Sequence, residues 1–138
     1  MTAPLPDANI APNLSWALLS PKGRLGREAY LLCLGFWVSV GVILNRAWAM
    51  AGLEQAGDPE AMAFFFMANP VTLFAALALV WIEFAIVVKR LHDIGRSGFF
   101  ALLLLVPVLN LAIMGYLAFQ APEPAPNRHG PLPDSYWQ

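Results

Sequence analysis

Charge is scarce in this sequence. Eight lysines and arginines and nine aspartates and glutamates occur in 138 residues, 12% of the chain, against roughly 25% in ordinary soluble domains. Together with 59% hydrophobic residues and a mean hydropathy of +0.60, this points to lipid rather than water as the solvent. The net charge of −1 offers no basic field for nucleic acid. Cysteine occurs once, as Cys33 inside an apolar run. It can form neither an internal disulfide nor a cysteine-based metal site, and it reads as a small buried apolar side chain. No set of nucleophile, base and orienting group stands out, and no metal-ligand cluster does, so no catalytic residue, metal or cofactor is expected.

What the chain does have is long apolar runs. "AYLLCLGFWVSVGVIL" starts at Ala29 without a charge and extends to Ala51 if Asn45 and Arg46 are included. At ~1.5 Å per residue those residues span about 34 Å, enough for a hydrocarbon core of roughly 30 Å. A second run from Pro70 to Val88 contains one charge, Glu83, and a third from Phe99 to Phe119 is interrupted by Pro107 and Asn110. The reading is an all-α integral membrane bundle of three transmembrane helices, near 29–51, 70–88 and 99–119, with short interfacial helices. An N-terminal interfacial segment, 1–19, precedes the membrane domain of 20–120, and a proline-rich tail, 121–138, follows it.

Asn13 is placed to cap a short interfacial helix over 13–21. Between the first two spans, Asp58 and Pro59 suit the start of another, over 58–67; the rival is one long helix over 61–88 kinked at Pro70. The tail, with five prolines in 120–138, is expected to be extended, with Tyr136 and Trp137 at the membrane surface. The polar residues before the first run argue for an uncleaved anchor rather than a secretory signal.

Lysine and arginine count three before the first span, none between the first and second, three between the second and third, and one in the tail. The positive-inside rule then puts the N-terminus in the cytoplasm and, for three crossings, the tail outside. A break at Pro107 into a re-entrant hairpin would instead return the tail to the cytoplasm, though 21 residues are too few for two full crossings.

The densest polar stretch is "KRLHDIGRSG", residues 89–98. Glu83 lies six residues before Lys89, about 9 Å inside the membrane end of its helix. A carboxylate there needs company. Positions 83, 87 and 90 share a helix face, and Arg24 and Arg27 are three apart, so an ion-pair network of Glu83 with the arginines is expected. Lys89 and Asp93 are spaced as a modest surface pair. His92 and Asp93, being adjacent, diverge and make no dyad. Gly95 suits a left-handed stop and Ser97 a cap. Arg46 is expected to snorkel outward. Gly35 with Ser39, and Ala75, Ala78 and Ala85, offer small surfaces for helix contact. His129, in a tail placed outside, is too remote to serve the loop.

"GRLGREAY" at 23–30, "KRLHDIGRSGFF" at 89–100 and "NRHGPLP" at 127–133 together resemble the bacterial inner-membrane family called domain of unknown function 805, DUF805, from about Ser20 to Pro133. The sequence departs from the family pattern at Tyr30-Leu31, Phe99 and His129, where other aromatic residues are usual. The resemblance implies a small bacterial inner-membrane protein in which Arg24, Arg27, Arg90, His92, Asp93, Arg96, Ser97 and Gly98 occupy family-pattern positions. It implies no activity.

The functional expectation is a non-enzymatic module. A cytoplasmic cluster of Arg24, Arg27, Glu83, Lys89, Arg90, His92, Asp93, Arg96 and Ser97 would lock the helices and offer a docking surface for anionic lipid or a membrane-protein partner, with homo-oligomers open. The alternative is an oligomeric transport or channel component using Glu83, Pro107 and Asn110. An enzyme acting on lipid is the third reading.

Overall fold

The computed structural model describes residues 7–50 and 70–138. Among these the elements run β1 (Ala8–Asn9), α1 (Leu14–Leu19), α2 (Arg27–Met50), α3 (Pro70–Asp93), a 3₁₀ helix (Gly98–Leu105), α4 (Pro107–Phe119) and β2 (Tyr136–Trp137). The expected interfacial helix at 58–67, and the choice between one and two helices over 61–88, fall outside the described residues; α3 itself begins at Pro70.

Helices α2 and α3 are each 24 residues long, or ~36 Å, and both are long and apolar enough to cross a membrane. Their outward faces carry large exposed apolar side chains, among them Leu32, Phe36 and Ile43 on α2 and Val71, Phe74 and Val80 on α3. In water such a surface would be an aggregation liability; in lipid it is the solvated face. Trp37 Nε1 donates to Leu79 O across the pair at 2.9 Å. The Gly35–Ser39 surface turns the other way: both residues are exposed, and Ser39 Oγ donates to Gly35 O within its own helix. Of the three alanines expected at the contact, only Ala85 is fully buried.

The third apolar run does not form one continuous helix. The end of α3 turns at Gly95, φ +71°, with Arg96 N donating to Leu91 O at 2.8 Å. Ser97 then caps the 3₁₀ helix by accepting from Phe99 N. At Val106 the backbone is extended, and Pro107 starts α4 at its first turn. Proline has no N–H to donate and pushes its predecessor out of helical conformation, so the apolar run is cut in two there. The second half comes back: Asn110 bonds to Glu83, whereas Leu117 O and Gln120 O accept from Arg90. Because Glu83 and Arg90 are seven residues apart on α3, the hairpin reaches about 10 Å below Arg90 and returns. Asn110 Nδ2 also donates to Leu104 O at 3.3 Å, supplying a partner to the backbone near the bend.

The tail therefore does not lie opposite the N-terminus, as three crossings require. It joins it. Strand β2 pairs antiparallel with β1, Ala8 opposite Trp137 and Asn9 opposite Tyr136, adding a two-stranded ribbon to an otherwise helical chain. Arg24 N donates to Ser135 O at 2.8 Å, and Tyr136 stacks on Trp16 with ring centroids 5.8 Å apart. Tyr136 and Trp137 thus meet protein. The buried core of Trp16, Leu25, Tyr30, Ile86, Val87, Leu91, Met114 and Leu117 gathers at this polar end of the helices.

Candidate functional site: a buried arginine–aspartate–arginine lock

Asp93, in the last turn of α3, bridges two arginines. Its Oδ1 accepts from Arg24 Nε at 3.2 Å and its Oδ2 from Arg90 Nη1, and all three side chains are fully buried. The guanidinium groups spend their remaining donors on backbone carbonyls. Arg24 Nη1 donates to Ala125 O at 2.8 Å and to Gly130 O at 3.4 Å, and Nη2 donates to Glu123 O. Arg90 Nε donates to Leu117 O at 3.1 Å and Nη2 to Gln120 O. Arg90 thus neutralises the carbonyl end of α4, where the helix dipole favours a cation. Arg24 ties the loop before α2 to α3 and to the tail. The fork geometry of arginine, five donors in one plane, is what allows a single side chain to do this.

Lys89 does the same for α1. Its Nζ donates to Trp16 O at 2.6 Å and Ala17 O at 2.7 Å, with the ammonium 4.5 Å from the Trp16 ring centroid. The expected Lys89–Asp93 surface pair is replaced by these contacts, because Asp93 turns inward to the arginines and Lys89 reaches two carbonyls of α1, of which Trp16 O also accepts from Ser20 N. Among the described residues every buried side-chain nitrogen and oxygen has a hydrogen-bond partner.

Around the lock, tail and helix exchange further bonds. Glu123 N donates to Asp93 O at 2.8 Å, Asn127 Nδ2 to His92 O at 2.9 Å, and Gly26 N to Asp134 Oδ1 at 2.8 Å. His92 Nδ1 lies 3.1 Å from Gly23 O, and its ring stacks on His129 with centroids 3.5 Å apart. The expectation that His129 is remote fails with the three-crossing topology on which it rested. Burial, together with His92, Arg128 and Arg24, pushes the His129 imidazole down to about 4.

Several glycines sit in close approach, among them Gly23 and Gly98. Gly23 has φ +97°, and a Cβ there would stand 2.6 Å from Ser135 O. At Gly98 a Cβ would stand 2.9 Å from His92 Nε2. Leu25, between Gly23 and the helix, is fully buried and donates its N–H to Lys89 O at 3.1 Å. Tyr30 Oη donates to Met114 O at 3.1 Å. The three sequence blocks at 23–30, 89–100 and 127–133 thus meet in space.

Four expected members, Arg27, Glu83, Arg96 and Ser97, stand apart from the buried arginine–aspartate pair. Arg27 is exposed. The helix begins at Arg27 itself, so Arg24 precedes it in a bridge to Ser135 and the helical spacing that would align the two arginines does not apply. Glu83 is buried, but its partner is Asn110, whose Nδ2 lies 2.6 Å from Oε1. Arg90 shares its face yet sits about 10 Å along the axis, and is held by Asp93 one turn further on. Arg96 is exposed, Ser97 serves as a cap, and Arg46 is exposed. Sequence reasoning missed Trp16, Glu123, Asn127, Gly130 and Asp134. Among the described residues no three histidine, cysteine, aspartate or glutamate side chains converge on a point where a metal ion would sit. Each guanidinium nitrogen of Arg24 and Arg90 has a partner within the chain.

A family profile described as "Protein of unknown function (DUF805)" matches residues 18–131. The chain is 35% identical over 95 residues to the uncharacterized protein YiiR of Escherichia coli K12, covering 69% of this chain and 56% of YiiR. It is 30% identical over 113 residues to the inner membrane protein YhaH of the same strain, covering 81% of this chain and 85% of YhaH. The chain thus spans little more than half the length of YiiR. No solved structure matches.

Proposed function

Because this chain belongs to the DUF805 family of membrane proteins, we propose that it is a non-catalytic module of a bacterial inner membrane whose buried lock fastens both termini and a re-entrant hairpin to its helices. The observation that carries this reading is Asp93, shared by Arg24 and Arg90, each of whose other guanidinium nitrogens donates to a backbone carbonyl of the tail or of the end of α4. Every nitrogen of the two guanidinium groups thus has a partner within the chain.

The lock end is the cytoplasmic end, since it carries Lys22, Arg24, Arg27, Lys89, Arg90, Arg96 and Arg128, all the lysines and arginines except Arg46. With the hairpin re-entering rather than crossing, the tail is cytoplasmic as well. Lys22, Arg27, Arg96 and Arg128 remain exposed around the lock, where they meet the anionic headgroups of the inner leaflet at about 1 kcal/mol per cation.

The second reading is transport, favoured by one observation: a carboxylate, Glu83, is held by Asn110 at the deep end of the hairpin, a place where ionisable groups mark ion paths. Reconstitution of the full chain in liposomes separates the two. The module reading expects no flux over a panel of ions and metabolites, with Asp93→Asn strongly destabilised. Flux that disappears in Glu83→Gln would replace it with the transport reading.

A further inference from the structure

The two arms of the hairpin pack on each other and leave a cleft open along one side. The 3₁₀ helix runs for eight residues, long for that conformation, and its three-residue period brings Phe100 and Leu103 onto one line. On α4, Leu109, Ala112 and Tyr116 share a face by the i, i+3, i+7 rule. These two stripes line a cleft of about 400 Å³, and Arg96 lines it too, at the lock end. The small side chain of Ala112 leaves the middle open. From Gly98 to Leu103 is five residues of the 3₁₀ helix, or about 10 Å at its ~2.0 Å rise, about a third of a ~30 Å hydrocarbon core.

Arg96 is exposed, and among the described residues no carboxylate pairs with it: both ion pairs belong to Asp93. The cleft is therefore apolar along its length and cationic at one end. Its volume lies in the roughly 300–1,000 Å³ range of small-ligand sites.

We propose that this cleft binds one acyl chain of an anionic phospholipid of the cytoplasmic leaflet, with Arg96 holding the phosphate headgroup. The assignment rests on the reading that the hairpin re-enters from the cytoplasmic side. The charge that recognises the headgroup and the groove that takes the chain lie on different residues, so each can be removed alone.

The test is native mass spectrometry of the intact full chain in neutral detergent, with phosphatidylglycerol or phosphatidylcholine of the same acyl composition added. The unaltered protein should retain one phosphatidylglycerol with a preference of about five-fold over phosphatidylcholine, the ratio that one cation near the membrane surface gives. Arg96→Gln should equalise the two lipids, Arg96→Lys should keep the preference, and Ala112→Phe should lower retention of both. Glycerol phosphate without chains should not displace the lipid. Equal retention of the two lipids by the unaltered protein, a preference that survives Arg96→Gln, or displacement by glycerol phosphate would overturn the proposal. None of these outcomes touches the lock, whose failure would show in the stability of Asp93 variants and in the sidedness of the tail.

Discussion

His129, in the tail, lies flat against His92, in the last turn of α3, with ring planes 6° apart and centroids 3.5 Å apart. A residue near the C-terminus thereby rests on a residue 37 positions earlier, and the contact closes over Gly23 through His92 Nδ1. The tail is docked by this stack as well as by carbonyl bonds to Arg24.

That stack makes docking sensitive to acid. His129 is pushed down to about 4 when docked, against an ordinary 6.5. Above 6.5 the ring is neutral in both states and docking has its full strength. Between 6.5 and 4 the undocked ring takes up a proton that the docked ring refuses, so docking weakens as pH falls. The melting temperature of the purified chain should drop between pH 7 and pH 4, and His129→Phe, which keeps a flat ring, should drop less. An equal drop in both proteins would show that His129 has no part in the acid response.

The lock predicts a large cost for removing its anion. Asp93→Ala leaves two buried guanidinium groups facing each other without their shared carboxylate, and breaking a buried pair from one side costs about 3–5 kcal/mol. Replacing all three members together, Arg24→Met, Asp93→Leu and Arg90→Met, removes the uncompensated charge and should cost less than Asp93→Ala as far as charge is concerned. The carbonyls of Glu123, Ala125, Leu117 and Gln120 then lose their donors, so the triple variant should keep helix content while the tail loosens. Unfolding in detergent, with proteolysis of the tail as a second readout, measures both.

Deep in the hairpin the two partners are unequal. In Glu83→Gln the side-chain oxygen still accepts from Asn110, so stability should stay within about 1 kcal/mol of the parent. Asn110→Ala removes the donor from a buried carboxylate and from Leu104 O and should cost about 1–3 kcal/mol. Equal effects from the two substitutions would mean that the contact does not hold the bend.

Gly23→Ala tests the close approach of the tail. The new methyl group would need φ +97° and would stand 2.6 Å from Ser135 O, so the strand carrying Ser135 must move. A loss of about 1–3 kcal/mol is expected from the backbone strain alone, and thermal unfolding reads it. Tolerance of alanine would show that the tail sits farther from Gly23 than the structure has it.

The parts of this architecture that follow local rules were legible in the sequence. The two long apolar helices follow from uninterrupted apolar runs, and the Asn13 cap, the Gly95 stop and the Ser97 cap each depend on a residue type at a definite place in a turn. The polar cluster was also legible as a group, because arginine, histidine and aspartate beside an apolar run have few places to go. Its wiring was not. Arg24 and Arg90 end mostly on backbone carbonyls, which every residue possesses, so Glu123, Ala125 and Gln120 carry no side-chain sign of their role. The hairpin was visible only as an option at Pro107. A proline at that position can kink a helix or end it, and the choice depends on Asn110, Glu83 and Arg90 meeting across the fold. Reading the third run as a crossing separates the tail and His129 from the N-terminal segment and His92, which they meet in the fold.

The most direct test is the sidedness of the two ends of the ribbon. In a Cys33→Ser background, Lys22→Cys and Gln138→Cys are labelled with a membrane-impermeant maleimide in intact spheroplasts and in inverted vesicles. Both positions should be labelled in inverted vesicles and protected in spheroplasts, because the tail pairs with the N-terminal segment beside the lock. Labelling of the two positions from opposite sides of the membrane would mean that the third apolar run crosses it, and the lock between Arg24, Asp93 and the tail could not exist.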